Sequence, residues 1–183
     1  MKKILLSLAI ISLLLLTSCG KYTVKIENLP PELKAKWEKE LDENLAKYDD
    51  ANDPYAKSQL ASEVGFRYMN LGKYSKAISY YEEVLAYDNV HFPALNNLAF
   101  IYEEVGEIQK ALEYEKRLYE ANPLNKEVVG DTVRLLVKNY QFEDATKLLT
   151  TYTINSKNED PQFISDTLQF IIDSRDEATG KLE

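Results

Sequence analysis

The sequence predicts an all-α protein: a right-handed superhelical solenoid of stacked antiparallel helix pairs, closed by a capping helix at each end. Three observations carry this expectation. The stretch LGKYSKAISYYEEVLAYDN (71–89) returns 34 residues later as VGEIQKALEYEKRLYEANP (105–123), with Gly72 on Gly106, Tyr74 on Ile108, Ala77 on Ala111 and Ile78 on Leu112. Within each copy the apolar residues recur at steps of three and four, the spacing of one helix face. Glycine and proline stand where the helices must stop.

The N-terminus is set apart from the fold. A basic start, Met1–Lys3, leads into an apolar run of thirteen residues, Ile4–Leu16. That suits a secretory signal core and is short of the ~20 residues of a membrane-spanning helix. Leu16, Thr17, Ser18 and Cys19 follow, and here the chain resembles a bacterial lipoprotein signal with its lipobox. The resemblance implies removal of residues 1–18 and palmitate-type acylation at Cys19, which becomes a lipid anchor in a bacterial cell envelope with the domain on the exported side. On the residues alone, an ordinary signal peptide or an uncleaved anchor also fits. Cys19 is the only cysteine, so no disulfide within the chain can hold the fold. Residues 19–30 read as a tether that spans at most ~35 Å when extended. Within it, YTVKI (22–26) alternates like a strand.

Residues 31–50 read as the N-terminal capping helix, with Pro31 at its start and Trp37, Leu41, Leu45 and Tyr48 on one stripe. Three repeats follow at 58–91, 92–125 and 126–159. Their first helices carry apolar or small residues at repeat positions 4, 7, 8 and 11: Ala61, Val64, Gly65 and Tyr68, then Leu95, Leu98, Ala99 and Tyr102, then Val129, Thr132, Val133 and Leu136. Their second helices do so at positions 20, 24 and 27: Ala77, Tyr81 and Val84, then Ala111, Glu115 and Leu118, then Ala145, Leu149 and Tyr152. Small residues at 8 and 20, such as Gly65 and Ala77, let the two helices approach. Glycine at 15 suits the left-handed end of the first helix. The third repeat departs, since Tyr140 replaces that glycine. Glu115 also departs, and Tyr114 and Leu118 are expected to make its contact. Residues 160–183 read as a C-terminal capping helix from Pro161 that ends in a frayed tail, DEATGKLE.

With its 34-residue period and these positions, the chain resembles the tetratricopeptide repeat (TPR) family over residues 58 to about 157. One hairpin cannot bury its stripe alone, so neighbours stack. The resemblance implies a concave groove lined by the first helix of each repeat, at positions 2, 5, 9, 12 and 13. Its candidate partner-binding residues are Phe66, Met69, Asn96, Asn97, Phe100, Glu103 and Arg134, with Phe66 and Phe100 side by side at position 9. Gly130, Val137 and Lys138 of the third repeat point the same way. Chaperone-tail-binding relatives grip a carboxylate at positions that here are Ser62, Phe66, Asn97, Glu127 and Asp131. Only Asn97 agrees, which excludes that mode.

Charge and motifs narrow the function classes. Of 22 basic side chains, Lys2 and Lys3 leave with the signal, so 20 face 30 acidic ones. That excludes a nucleic-acid footprint and disfavours lying flat on anionic lipid. No nucleophile elbow, zinc motif, Walker loop or cysteine pair is present, and His91 has no second histidine to share a metal. The expectation is therefore no enzyme, no cofactor and no metal. The leading reading is a membrane-anchored adaptor or scaffold lipoprotein that holds a protein or peptide partner in the envelope. The alternative is an envelope receptor for a small ligand or peptidoglycan fragment, held by Phe66, Phe100, Asn96 and Asn97.

Overall fold

A computed structural model describes residues 29–180; the expected signal segment, Cys19 and the YTVKI run lie outside the described residues. Eight helices follow one another: α1 (Pro31–Asp50), α2 (Pro54–Asn70), α3 (Tyr74–Tyr87), α4 (Phe92–Glu104), α5 (Ile108–Ala121), α6 (Lys126–Lys138), α7 (Phe142–Asn155) and α8 (Pro161–Ala178). No strand occurs among the described residues. Each helix packs on its neighbours in the chain, and α8 also packs on α6. This is the stacked-hairpin architecture the 34-residue period requires.

Local chemistry sets where each helix begins. In α2, α4, α6 and α8 a side chain caps the free backbone N–H groups. Asp53 accepts from Ala56 N at 2.7 Å, His91 Nδ1 from Ala94 N at 3.3 Å, Asn125 from Glu127 N at 2.9 Å and Asp160 from Phe163 N at 3.0 Å. The lone histidine thus serves as a helix cap. Helices α3, α5 and α7 have no side-chain cap and start directly from tight turns.

Those turns share one geometry. Gly72 and Gly106 sit at φ 68° and 81°, and Tyr140 takes φ 59° at the same repeat position. In each turn the left-handed residue and the one after it donate back to the preceding helix: Gly72 N to Met69 O and Lys73 N to Tyr68 O, then Gly106 N to Glu103 O and Glu107 N to Tyr102 O, then Tyr140 N to Val137 O and Gln141 N to Leu136 O. The third repeat keeps the turn of the first two although a tyrosine must strain to make it.

The stripes read from the sequence form the core. Ala61, Val64, Leu95, Leu98, Val129, Val133 and Leu136 are buried, as are Ala77, Ala111 and Ala145. A Cβ on Gly65 would lie 3.0 Å from the Tyr81 ring, so this glycine makes room for Tyr81 rather than for Ala77. The N-terminal cap is fastened by Leu41 in the core, by Trp37 and Leu45 against it, and by Tyr48, whose hydroxyl reaches Glu83 at 2.7 Å. Burial and the Glu83 carboxylate together push the Tyr48 phenol up.

Two expectations are corrected here. Glu115 itself is buried, with 3% of its surface exposed, and fills the inter-helix position together with the expected Leu118. Tyr114 instead lies half-buried, stacked on Tyr102 with ring centres 5.6 Å apart. The tail is not wholly frayed, because α8 continues through Asp176 and Glu177 to Ala178.

Candidate functional site

The first helices of the repeats, α2, α4 and α6, form a row along one side of the solenoid. A cavity of about 540 Å³ opens on this row, between Asn44 of α1, Ser62, Glu63, Phe66 and Arg67 of α2, and Pro93 and Asn97 of α4. Phe66 contributes an exposed ring, with 42% of its surface accessible. The Arg67 guanidinium carbon stands 5.7 Å from that ring and its Nη2 lies 3.1 Å from Glu40. Asn97 is fixed by its own bond: its amide donates to the Tyr81 hydroxyl at 2.8 Å. Burial pushes the Tyr81 phenol up, so the hydroxyl remains neutral and the bond persists across the ordinary pH range.

The structure brings together only part of the sequence-derived set. Phe66 and Asn97 line the cavity; Met69, Asn96 and Phe100 do not. Met69 and Phe100 are half-buried and pack against the core that α1–α4 share, so Phe100 does not offer a free ring beside Phe66. Asn96 is half-buried. Val137 is buried, and Gly130 lies beneath Phe163 of α8, whose ring would be 3.5 Å from an added Cβ. Asn44 was missed. Its signal was present: it falls on the stripe of Leu41, Leu45 and Tyr48, where an amide is out of place among apolar neighbours.

Glu103 and Arg134 meet one another, Glu103 mostly buried and Arg134 still partly in solvent. Arg134 grips both oxygens of Glu103, the second through Nη2 at 2.9 Å, and its Nε lies 3.5 Å from Asp131. Lys138 Nζ also reaches Glu103, at 2.5 Å. Burial alone would raise the Glu103 carboxyl, but the hydrogen bonds from Arg134 and Lys138 outweigh it and hold the group below the usual carboxylate range. Beneath this cluster lies Glu115. It makes no hydrogen bond or ion pair among the described residues. Burial, then the negative charge of Asp131, raise its carboxyl to about 8, with Glu103 adding and Arg134 opposing. The row therefore has an apolar and amide-lined end at α2 and α4 and an ion-paired end at α4 and α6.

The described residues hold no grouping of three histidine, cysteine or acidic side chains suited to a metal, and none of their helices is long and apolar enough to cross a membrane.

Comparison with known proteins places this geometry. The tetratricopeptide repeat family profile matches residues 67–91, the turn and second helix of the first repeat. Two ycf37 proteins are similar to parts of the chain. That of Pyropia yezoensis is 38% identical over 69 residues, which are 38% of this chain and 39% of the relative. That of Guillardia theta is 32% identical over 60 residues, 33% of this chain and 34% of the relative. The chain thus spans about a third to two fifths of the curated relatives it matches. Among solved structures, a tetratricopeptide repeat protein from Parabacteroides merdae superposes with a TM-score of 0.50 at 17% identity, over 80% of this chain and 68% of that one. The chain carries a tetratricopeptide repeat, and its fold is that of a tetratricopeptide-repeat solenoid.

Proposed function

We propose that this chain is a membrane-anchored adaptor that holds a protein partner in the cell envelope through the α2–α4 end of its groove. The observation that supports it is the exposed Phe66 ring on the wall of a 540 Å³ cavity, whereas Phe100, at the same position of the next repeat, packs on the core. An apolar side chain of the partner seats on Phe66, and Asn44 and Asn97 supply amides to its polar groups. Exposed aromatic anchors of this kind commonly carry ≥2 kcal/mol of binding, roughly thirtyfold or more in affinity. Cys19 carries the lipid, and the acidic domain stays off an anionic membrane surface.

The test has two arms. A photo-crosslinking amino acid at Ser62 should trap a discrete envelope protein that the same group at the outward-facing Ser79 does not, and Phe66→Ala should abolish the adduct. Equal adducts at both sites would sink the groove as the working surface. Labelled palmitate should enter the wild-type chain and not Cys19→Ser; equal incorporation would remove the anchor.

A second reading keeps one observation of its own. The cavity volume lies within the range of small-molecule pockets, and two amides and a hydroxyl line it. A peptidoglycan fragment would stack on Phe66 and bond to Asn44 and Asn97. Binding of a purified muropeptide lost on Asn97→Ala, with no protein adduct at Ser62, would favour that reading.

A further inference from the structure

The cavity between α1, α2 and α4 contains a buried amide without a partner. Asn44 lies on the inward stripe of α1 with Leu41 and Leu45, has 9% of its surface exposed, and lines the cavity. Its side chain makes no hydrogen bond among the described residues. Buried polar groups are almost always bonded, and leaving one unpaired costs about 1–3 kcal/mol. Asn44 thus keeps a carbonyl and an NH2 for whatever enters the cavity. Asn97 lines the same cavity from α4. It spends one N–H on the Tyr81 hydroxyl, at 2.8 Å, and keeps its carbonyl and its second N–H.

Two such amides on one space suit a ligand that carries donors and acceptors side by side. A peptide backbone does, but only in some conformations. A helix spends its N–H and C=O groups on itself except at its ends, so a helix laid in the cavity would leave Asn44 unpaired. An extended segment offers an N–H and a C=O at each residue. An asparagine side chain meets such a pair at two points, its carbonyl accepting from the N–H and its NH2 donating to the C=O.

The cavity wall also sets a side-chain pattern. Of its charged residues, Arg67 is held by Glu40, with Nη2 at 3.1 Å. Glu63 is exposed and pairs with no cation among the described residues. It stands three residues before Phe66 on α2, and both line the cavity, so their Cβ atoms lie about 5–6 Å apart on one face. In an extended segment, side chains two residues apart share a face at roughly 6.5–7 Å. An apolar side chain on Phe66 therefore brings the residue two positions away to Glu63. A helix would reach Glu63 only with a spacing of three or four.

We infer that the cavity takes an extended peptide segment, its backbone held by Asn44 and Asn97, with an apolar residue on Phe66 and a lysine or arginine two positions away on Glu63. This builds on the groove as the working surface and specifies the conformation and charge of the segment that the groove receives.

A displayed library of random ten-residue linear peptides, panned on the full chain in detergent micelles, tests it. Enriched sequences should pair an apolar residue with Lys or Arg at a spacing of two. Panning on Glu63→Lys, an exposed site whose change keeps the fold, should replace the basic residue by Asp or Glu. The leading peptide, made with an i,i+4 staple that locks it as a helix, should lose about tenfold or more in affinity by fluorescence anisotropy. Asn44→Leu should also weaken the unstapled peptide about tenfold, while the melting temperature holds or rises because leucine joins Leu41 and Leu45. A purely structural asparagine would not separate binding from melting in that way. No enrichment, a basic residue at a spacing of three or four, a staple that preserves affinity, or unchanged affinity in Asn44→Leu each overturns the inference. So does a muropeptide that binds where no peptide is enriched. An envelope protein trapped at Ser62 alongside a staple-tolerant peptide keeps the adaptor and removes the extended segment. The expected peptides with no adduct at Ser62 do the reverse.

Discussion

Replacing Glu115 by glutamine should make the protein more stable, and more so as pH rises. Glu115 lies on α5 beneath Arg134, Glu103 and Asp131, and its carboxyl moves from 4.5 in the unfolded chain to about 8 in the fold. Folding therefore requires the neutral acid. Below pH 4.5 both states are protonated and nothing is lost. Between 4.5 and 8 the unfolded chain gives up its proton while the folded chain keeps it, which costs ~1.4 kcal/mol per pH unit. The penalty is roughly 3 kcal/mol at pH 7 and levels off near 4–5 kcal/mol above pH 8. Glutamine has nearly the same shape and never ionises. Urea unfolding of wild type and Glu115→Gln at half-unit steps from pH 4.5 to 8.5 isolates the effect, since the background titration of the other acids is common to both. The stability gap should open steadily and flatten above pH 8. A gap constant within ~0.5 kcal/mol over that range would show that Glu115 is ionised in the fold and compensated by Arg134, and the reasoning would fail.

The turns yield a pair of opposite sign: Tyr140→Gly should stabilise by about 0.5–1 kcal/mol in thermal melts by relieving its φ of 59°, while Gly106→Ala should cost about 1 kcal/mol at φ 81° with no steric clash. Gly65→Val should cost about 2 kcal/mol or more, because its methyls would meet the fully buried Tyr81 ring; unchanged melting would mean the ring can move aside. Asn97→Ala removes the donor to the Tyr81 hydroxyl and should cost about 1–3 kcal/mol in denaturant unfolding. Phe100→Ala should lower the melting temperature while Phe66→Ala leaves it within a degree or two, since the first ring packs on the core and the second stands in the cavity.

The fold was legible because its determinants are periodic. A 34-residue recurrence, a stripe of step three and four, and glycine at one offset each survive without knowledge of any partner. The left-handed Tyr140 shows the limit of reading single residues: the turn was kept by backbone bonds to Val137 and Leu136, which no side chain announces. The site was legible only in part for a related reason. Repeat position 9 places Phe66, Phe100 and Arg134 on the same row, but what each side chain then does depends on its neighbours in space. Phe100 finds core, Arg134 finds Glu103 one repeat earlier, and Phe66 alone finds open space. Register predicts a row, whereas pairing across repeats needs coordinates.

The ionic cluster and the buried acid share a location that explains both. The apolar core divides in two: one part gathers α1–α4 with Leu118 and Val128, the other Ala111, Leu112 and the helices α6–α8. Glu115 lies on α5 between Leu112 and Leu118, at the break between the parts. Elsewhere the position-24 contact is made by Tyr81 or Leu149, and the core runs on through it. Here a carboxyl stands in that place, and Glu103, Arg134 and Lys138 tie α4 to α6 across the gap. An ion-paired tie costs desolvation that an apolar contact does not, and such ties hold one geometry by direction rather than by area. The seam between the second and third repeats is thus the one where a carboxyl takes the position-24 place and ion pairs tie the first helices. Glu115→Leu should join the two cores. If this account is right, it should also raise hydrogen-exchange protection in α6 and α5 together. Protection that rises in α5 alone would mean the two parts were already coupled through Tyr102 and Tyr119, which pack against both.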